Sequence, residues 1–287
     1  MRRLLGIGQG LIGNLMRVLF VSLLLASGGL PLAQAEALPG WSASDEQSTQ
    51  VVDHAGWQNF LNTFLHTDSA GQTFLDYARV TPPHRIQLAA YLTELQAIDP
   101  LTLNRAEQQA YWINLYNAAT VEVVLGDYPV KSIRAIGGAF GGLIPTGPWS
   151  TERVRVNNQM LSLDDIEHGI FRPKFNDFRA HFAFNCGAKG CPNLAAQAFT
   201  GRTLEAQLNA AARAFINHPR GVHLQDGRLT LSKIFDWYRA DFVAEDEALP
   251  LFLAPFAEPI LGAQLTNYSG RIDYEYDWSL NEASPSL

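Results

Sequence analysis

Apolar positions along this chain follow two periodicities. Between residues 53 and 66, Trp57, Phe60, Leu61, Phe64 and Leu65 recur at the spacing of an amphipathic helix. Pro82-Pro83 precedes a second helical pattern, about 84–97, carried by Ile86, Leu88, Ala89, Leu92 and Leu95. The third is the best defined. Asn104 has the chemistry of an N-cap, with Glu107 three residues on in capping-box fashion. The run from Tyr111 to Ala119 extends this helix to Leu125, where Gly126 offers a left-handed stop and Pro129 blocks resumption. Further helices are expected over 163–171 after Ser162 and before Pro173, over about 203–217, after Ser232, and near 247–257.

Period-two patterns are shorter and come mainly later. Asn157-Asn158 and Asp226-Gly227 separate apolar pairs at 154–156/160–161 and 222–224/228–230, the pattern of two hairpins. Residues 181–185 read as a short buried strand, and Tyr274, Tyr276 and Trp278 alternate as on a strand with one buried face. Helices first and short strands afterwards indicate an α+β protein. The expected architecture is a helix-rich N-terminal half packed on a small, mainly antiparallel sheet from the C-terminal half.

The N-terminus changes the picture of where the chain works. Arg17, an apolar run from Val18 to Ala26 and the small-x-small signal Ala33-Gln34-Ala35 form the pattern of a secretory signal peptide. Met16 directly before Arg17 offers a second possible start. Ser27-Gly28-Gly29 and Pro31 keep the run short of the ~20 residues a spanning helix needs. Cleavage after Ala35 removes three arginines and no acids, taking the formal net charge from −7 to −10 over the 252 residues left of 287. A periplasmic or secreted protein with no further membrane span is expected. Residues 36–52, rich in Ala, Ser and Gln, are expected as a disordered leader, and 53–287 as a single domain. The acidic balance and lack of basic runs argue against nucleic acid. The glycine-rich loop 137–149 lacks the Lys-Ser/Thr ending of a phosphate loop, so no nucleotide or other cofactor is expected.

Candidate chemistry gathers around His181-Phe-Ala-Phe-Asn185-Cys186 and Cys191-Pro192, which hold both cysteines. One reading is nucleophilic. Cys186 attacks, activated by an imidazole; strand alternation puts His181 and Asn185 on the opposite face, which favours His168 as base. Asp164, Asp165 and Glu167 lie within a helical turn of His168, available to orient it. Asn114 and Asn117 share a face of the third helix, either tying down a neighbouring loop or orienting a catalytic group. A second reading is a Cys186–Cys191 disulfide, favoured by export and by a total of two cysteines. A third is a metal held by Cys186, Cys191, His181 and His168. Its histidines are 13 apart, unlike the paired spacing of zinc sites.

Several segments together resemble one family. Tyr111-Trp-Ile-Asn-Leu-Tyr-Asn-Ala118, Leu161-Ser-Leu-Asp-Asp-Ile-Glu-His168, His181-Phe-Ala-Phe-Asn-Cys-Gly-Ala188 with Cys191-Pro192, and Ser232-Lys-Ile-Phe-Asp-Trp-Tyr238 are similar to the domain of unknown function family 547. The likeness covers roughly residues 100–240 and the terminal tryptophan segment, with Gly190 where relatives often have serine. Relatives occur in bacteria, often exported, and in plants; the resemblance implies an exported bacterial member and carries no established reaction. The working expectation is thiol-dependent acyl chemistry on an amide or ester. Cys186 is the nucleophile, His168 the base, Asn114 or Asn185 the polarising amide, His181 an orienter or oxyanion donor, and Glu167 and Asp164 the orienting acids. The competing expectation is a non-catalytic module that binds a small molecule, peptide or cell-envelope component, its loop shaped by the Cys186–Cys191 disulfide.

Overall fold

The computed structural model describes residues 37–137 and 147–283. The expected signal segment 1–35 and all of the 137–149 loop except its ends lie outside the described residues. Helix α1 (Ala55–Phe64) leads into a two-stranded antiparallel ribbon, β1 (Leu65–Thr67) and β2 (Thr73–Leu75), with Leu65 opposite Leu75. Helix α2 (Pro82–Gln96) follows, then α3 (Arg105–Asp127). Strands β3 (Val154–Val156) and β4 (Gln159–Leu161) form a second ribbon. A π helix (Asp165–Phe171) runs on into α4 (Arg172–Phe175). Helix α5 (Leu204–Ile216) precedes the hairpin of β5 (Val222–Gln225) and β6 (Arg228–Ser232), and short helices α6 (Lys233–Trp237) and α7 (Arg239–Phe242) come next. After α8 (Leu249–Leu253) and α9 (Pro259–Thr266), β7 (Ile272–Glu275) joins β6 in parallel, pairing Leu231 with Tyr274. The class is α+β as expected. The small sheet is in fact three separate pieces, one of them in the N-terminal half, and the largest has a parallel edge.

Helix α3 is the axis of the main core. Asn104 caps it by accepting from Glu107 N at 3.0 Å, and Trp112, Ile113, Leu115 and Ala118 are wholly buried. The helix passes through Gly126 rather than stopping there. It ends where Tyr128 turns extended, the conformation that the following proline favours. A second apolar cluster gathers Phe182, Phe215, Phe235 and Phe242 between α5, α6 and α7. The stretch expected as a strand lies between the two cores. It is a 3-10 helix (Phe178–Phe182), with Asp177 accepting from Arg179 N at 2.9 Å, followed by irregular chain. Phe182 enters one core and Phe184 the other, so the alternation that suggests a strand serves two clusters instead of two sheet faces.

Two terminal segments bind these parts together. Residues 37–52 are not a disordered leader. Trp41 is buried edge-on to Trp112 at 5.4 Å and donates to Gln159 Oε1, while Val52 N donates to Glu107 Oε1 at 2.8 Å. Leu38 N donates to Gly169 O at 2.8 Å, and a Cβ on Gly169 would meet the Leu38 side chain at 2.7 Å, which explains the glycine. The expected late strand stops at Glu275; beyond it the chain crosses the cysteine turn. Gly190 N donates to Asp277 O, Lys189 N to Ser279 O, Leu280 N to Lys131 O, Asn281 N to Gly187 O and Leu75 N to Asn281 O. Residues 277–283 thus stitch β2, the segment after α3 and the cysteine turn to one another.

Candidate active site

The π helix supplies the densest set of ionisable groups. Its start is fixed by an exchange in which Ser162 Oγ donates to Asp165 Oδ2 at 2.7 Å and Asp165 N donates to Ser162 Oγ at 3.0 Å. That occupies Asp165 and leaves Asp164, Glu167 and His168 for other work.

Glu167 and His181 face inward. The His181 side chain is 2 % exposed, with Nε2 2.6 Å from Asp241 Oδ2, and Arg172 Nε donates to the same oxygen at 2.7 Å. Burial by itself would raise the Asp241 carboxyl; the hydrogen bonds and charges of His181 and Arg172 outweigh it and hold Asp241 well below the usual carboxylate range. An ionised Asp241 only accepts, so Nε2 of His181 carries the proton. Burial pushes the imidazole toward the neutral form. Its Nδ1 is then a bare acceptor, 3.8 Å from Glu167 Oε1 and without a hydrogen bond. Glu167 is raised by burial, against the nearby His181 and Arg172 and a hydrogen bond with Tyr116. Tyr238 stacks on His181 with centroids 4.2 Å apart and lies under the Arg172 guanidinium. The expected catalytic role for His181 therefore gives way to a sealed, structural one.

Asp164 and His168 face outward. Their side chains are 36 % and 21 % exposed, with Asp164 Oδ1 4.0 Å from His168 Nε2. Desolvation nonetheless raises Asp164 to about 6 and lowers His168 to about 4. The two groups thus meet water while being heavily desolvated. Arg172 Nη1 approaches His168 Nδ1 at 3.4 Å, and because a guanidinium can only donate, Nδ1 is the acceptor. The proton of neutral His168 is thereby assigned to Nε2, on the side of Asp164.

The cysteines form a disulfide, with their α-carbons 6.2 Å apart. Cys186 accordingly has no thiol, and no hydrogen bond joins either sulfur to His168 or His181 among the described residues. Cys186 N donates to Cys191 Sγ at 3.0 Å, and the Tyr276 hydroxyl lies 3.1 Å from each sulfur. Disulfide sulfurs carry no hydrogen, so the tyrosine donates. With the sulfurs bonded to each other, the Cys2His2 metal arrangement does not form, and among the described residues no group of three His, Cys, Asp or Glu is placed to hold a metal.

The asparagines are occupied by main chain. Asn114 donates to Phe199 O at 2.8 Å and accepts from Phe199 N at 3.0 Å. Asn117 donates to Ala183 O and accepts from Asn185 N. Asn185 donates to Pro192 O and accepts from Gly187 N and from Asn281. Asn114 and Asn185 therefore hold loops in place and are buried, contrary to the polarising role expected of them.

Aromatic rings join these parts. Tyr276 lies 4.8 Å from Trp237 and 4.6 Å from Trp278, and Trp278 lies 5.9 Å from Trp149, whose carbonyl accepts from Asp164 N. All four rings are half-buried. They run as a wall from the disulfide to Asp164. Asp241, Tyr276 and Tyr116 were not singled out from sequence. The one available clue was that Arg172 and a buried histidine need a carboxylate partner, which α7 provides.

No helix among the described residues is long and apolar enough to cross a membrane. No curated protein and no solved structure matches the chain. Residues 100–216 match the model of a family described as protein of unknown function, DUF547. That stretch holds α3, the π helix, the cysteine turn and α5, whereas Asp241 and Tyr276 come from beyond it. Residues 100–216 are thus similar to the DUF547 family, the one the chain's motifs resemble.

Proposed function

We propose that the protein hydrolyses an amide or ester bond by acid–base catalysis, with water as nucleophile and Asp164 and His168 as the working pair. The observation that carries this reading is that these two groups face one another across 4.0 Å at an open edge, with perturbed pKa values that suit the task. A carboxyl near 6 is an effective base just above that pH. Asp164 takes a proton from water, and the resulting hydroxide adds to the carbonyl carbon. The oxyanion accepts from His168 Nε2–H, a neutral imidazole oriented by Arg172. Collapse of the adduct breaks the bond to the leaving amine or alcohol, which receives the proton from Asp164. The closed disulfide leaves Cys186 to shape the turn, and the aromatic wall shields the reacting carbonyl from bulk water. Support for action outside the cytoplasm, periplasmic or secreted, comes from the N-terminal pattern and from a bond that persists in oxidising compartments.

The closed disulfide also favours a second reading, the non-catalytic binding module. One experiment separates the two. The oxidised mature protein is assayed against panels of chromogenic esters and fluorogenic amides, without reductant. Turnover should rise as pH passes through about 6 and ignore iodoacetamide. Asp164→Asn should lower it by roughly 10²–10⁴-fold, the range for loss of an acid–base group, whereas the Cys186→Ser/Cys191→Ser double variant should keep most of it. Activity that requires reductant and is lost on alkylation would restore Cys186 as the nucleophile. Ligand binding without turnover would establish the module.

A further inference from the structure

Arg220 is a desolvated cation that forms no ion pair among the described residues. Its Nη2 donates to Asn193 Oδ1 at 2.5 Å, its Nε is buried without a partner, and it forms no salt bridge among the described residues. Buried guanidinium groups are ordinarily paired with carboxylates, because an unpaired charge in a low-dielectric site is costly. Here the ring of Phe215 lies 5.6 Å from the guanidinium carbon, and desolvation lowers Arg220 to about 10. Asn193 is itself fixed, donating to Gly71 O and accepting from Thr73 N, so it holds the guanidinium in place but cannot neutralise it. The acid that influences Arg220 is Asp68, whose Oδ1 already caps its own turn through Ala70 N and Gln72 N.

The location gives this cation a use. Asn193 is two residues past Cys191, and Tyr276, whose hydroxyl rests on the disulfide, feels both Arg220 and Glu167. Tyr276 at the cysteine turn is therefore within electrostatic reach of both a π-helix acid and this guanidinium. We infer that Arg220 seats the carboxylate of a substrate or ligand, so that the site takes molecules carrying a free monoanionic carboxylate close to the scissile or recognised group. A monoanion fits better than a phosphate dianion, because Asp68 repels the second charge. The catalytic use of this seat rests on the hydrolytic reading above; the binding itself does not.

The test measures binding rather than turnover. Oxidised mature protein is titrated with N-acetylglycine, N-acetylglycinamide and inorganic phosphate, followed by calorimetry and by saturation-transfer NMR. N-acetylglycine should bind at least ten-fold more tightly than its amide, and phosphate no more tightly than chloride. Arg220→Gln should abolish the preference for the acid, and Arg220→Lys should keep part of it. Asp164→Asn, inactive under the hydrolytic reading, should bind as the wild type does, so a failed reaction and a failed seat are told apart. Equal binding of acid and amide by the wild type would overturn the proposal without any variant. Preference for phosphate, or an Arg220→Gln protein that still prefers the acid, would overturn it as well. Should Arg220→Gln not fold, Asp68→Asn replaces it. Removing that opposing charge should tighten N-acetylglycine binding several-fold at low salt, and unchanged affinity would count against the seat.

Discussion

Helix α3 and the π helix both bury polar side chains, and they treat them in opposite ways. On α3, Asn114 and Asn117 each give and receive a hydrogen bond with the backbone of a neighbouring loop. On the π helix, Asp164, Glu167 and His168 lie 4.0 Å or 3.8 Å from groups they do not bond, with protonation set by crowding. The difference teaches how to separate scaffold from site when both are polar and desolvated. A buried amide bonded to main chain through both its nitrogen and its oxygen has little left to offer a ligand. An ionisable group held short of its partner keeps its chemistry available.

The largest effect should come from the saturated side. Asn117→Ala strips partners from Ala183 O and Asn185 N, buried groups that each cost about 1–3 kcal/mol when orphaned. Urea unfolding should show a loss of about 2–5 kcal/mol; under about 1 kcal/mol, the contrast with the π helix would collapse. The cysteine turn comes next. Its bond closes a loop over a sequence separation of 5, so the Cys186→Ser/Cys191→Ser protein should lose about 2 kcal/mol on the loop-entropy relation while remaining folded.

The smallest effect sharpens the comparison most. Asp164 is raised to about 6, so between about pH 4 and 6 the folded state holds the extra proton and stability from this group falls as pH rises. His168 is depressed to about 4, so up to about 6.5 the unfolded state holds the extra proton and stability from this group rises with pH. In the wild type the two slopes oppose one another. Asp164→Asn should make stability climb more steeply from pH 4 to 6, and His168→Gln should make it decline. Partial exposure limits each change to about 1 kcal/mol. Parallel profiles for both variants and the wild type would mean that neither group is perturbed.

Local signals in the sequence were enough for much of this. The Asn104 cap, the Asn157-Asn158 and Asp226-Gly227 turns and the Ser162 cap each depend on a few adjacent residues, and each is present. The cluster of Asp164, Glu167 and His168 could be read the same way, being one turn of one helix. What failed was long-range. Alternation at 181–185 could not disclose that two cores lie on either side of the chain. Polar composition at 37–52 hid the anchoring by Trp41, a single buried ring. Asp241 and Tyr276 reach the site from 60 and 90 residues beyond the side chains they bond, His181 and Cys186.

The stitching by residues 277–283 has a consequence for how the chain is made. The cysteine turn donates main-chain hydrogen bonds to Asp277 and Ser279 and accepts one from Asn281, and the β1–β2 ribbon leans on the same strap. During synthesis, which proceeds from the N-terminus, α3 and its neighbours can collapse early because their contacts are local. The turn and the first ribbon cannot be completed until residue 283 has been delivered, more than two hundred residues after Leu75. A chain threaded through a membrane as it is made would therefore cross while still open and unlocked. It would reach its final form, sulfur bond included, only on the far side.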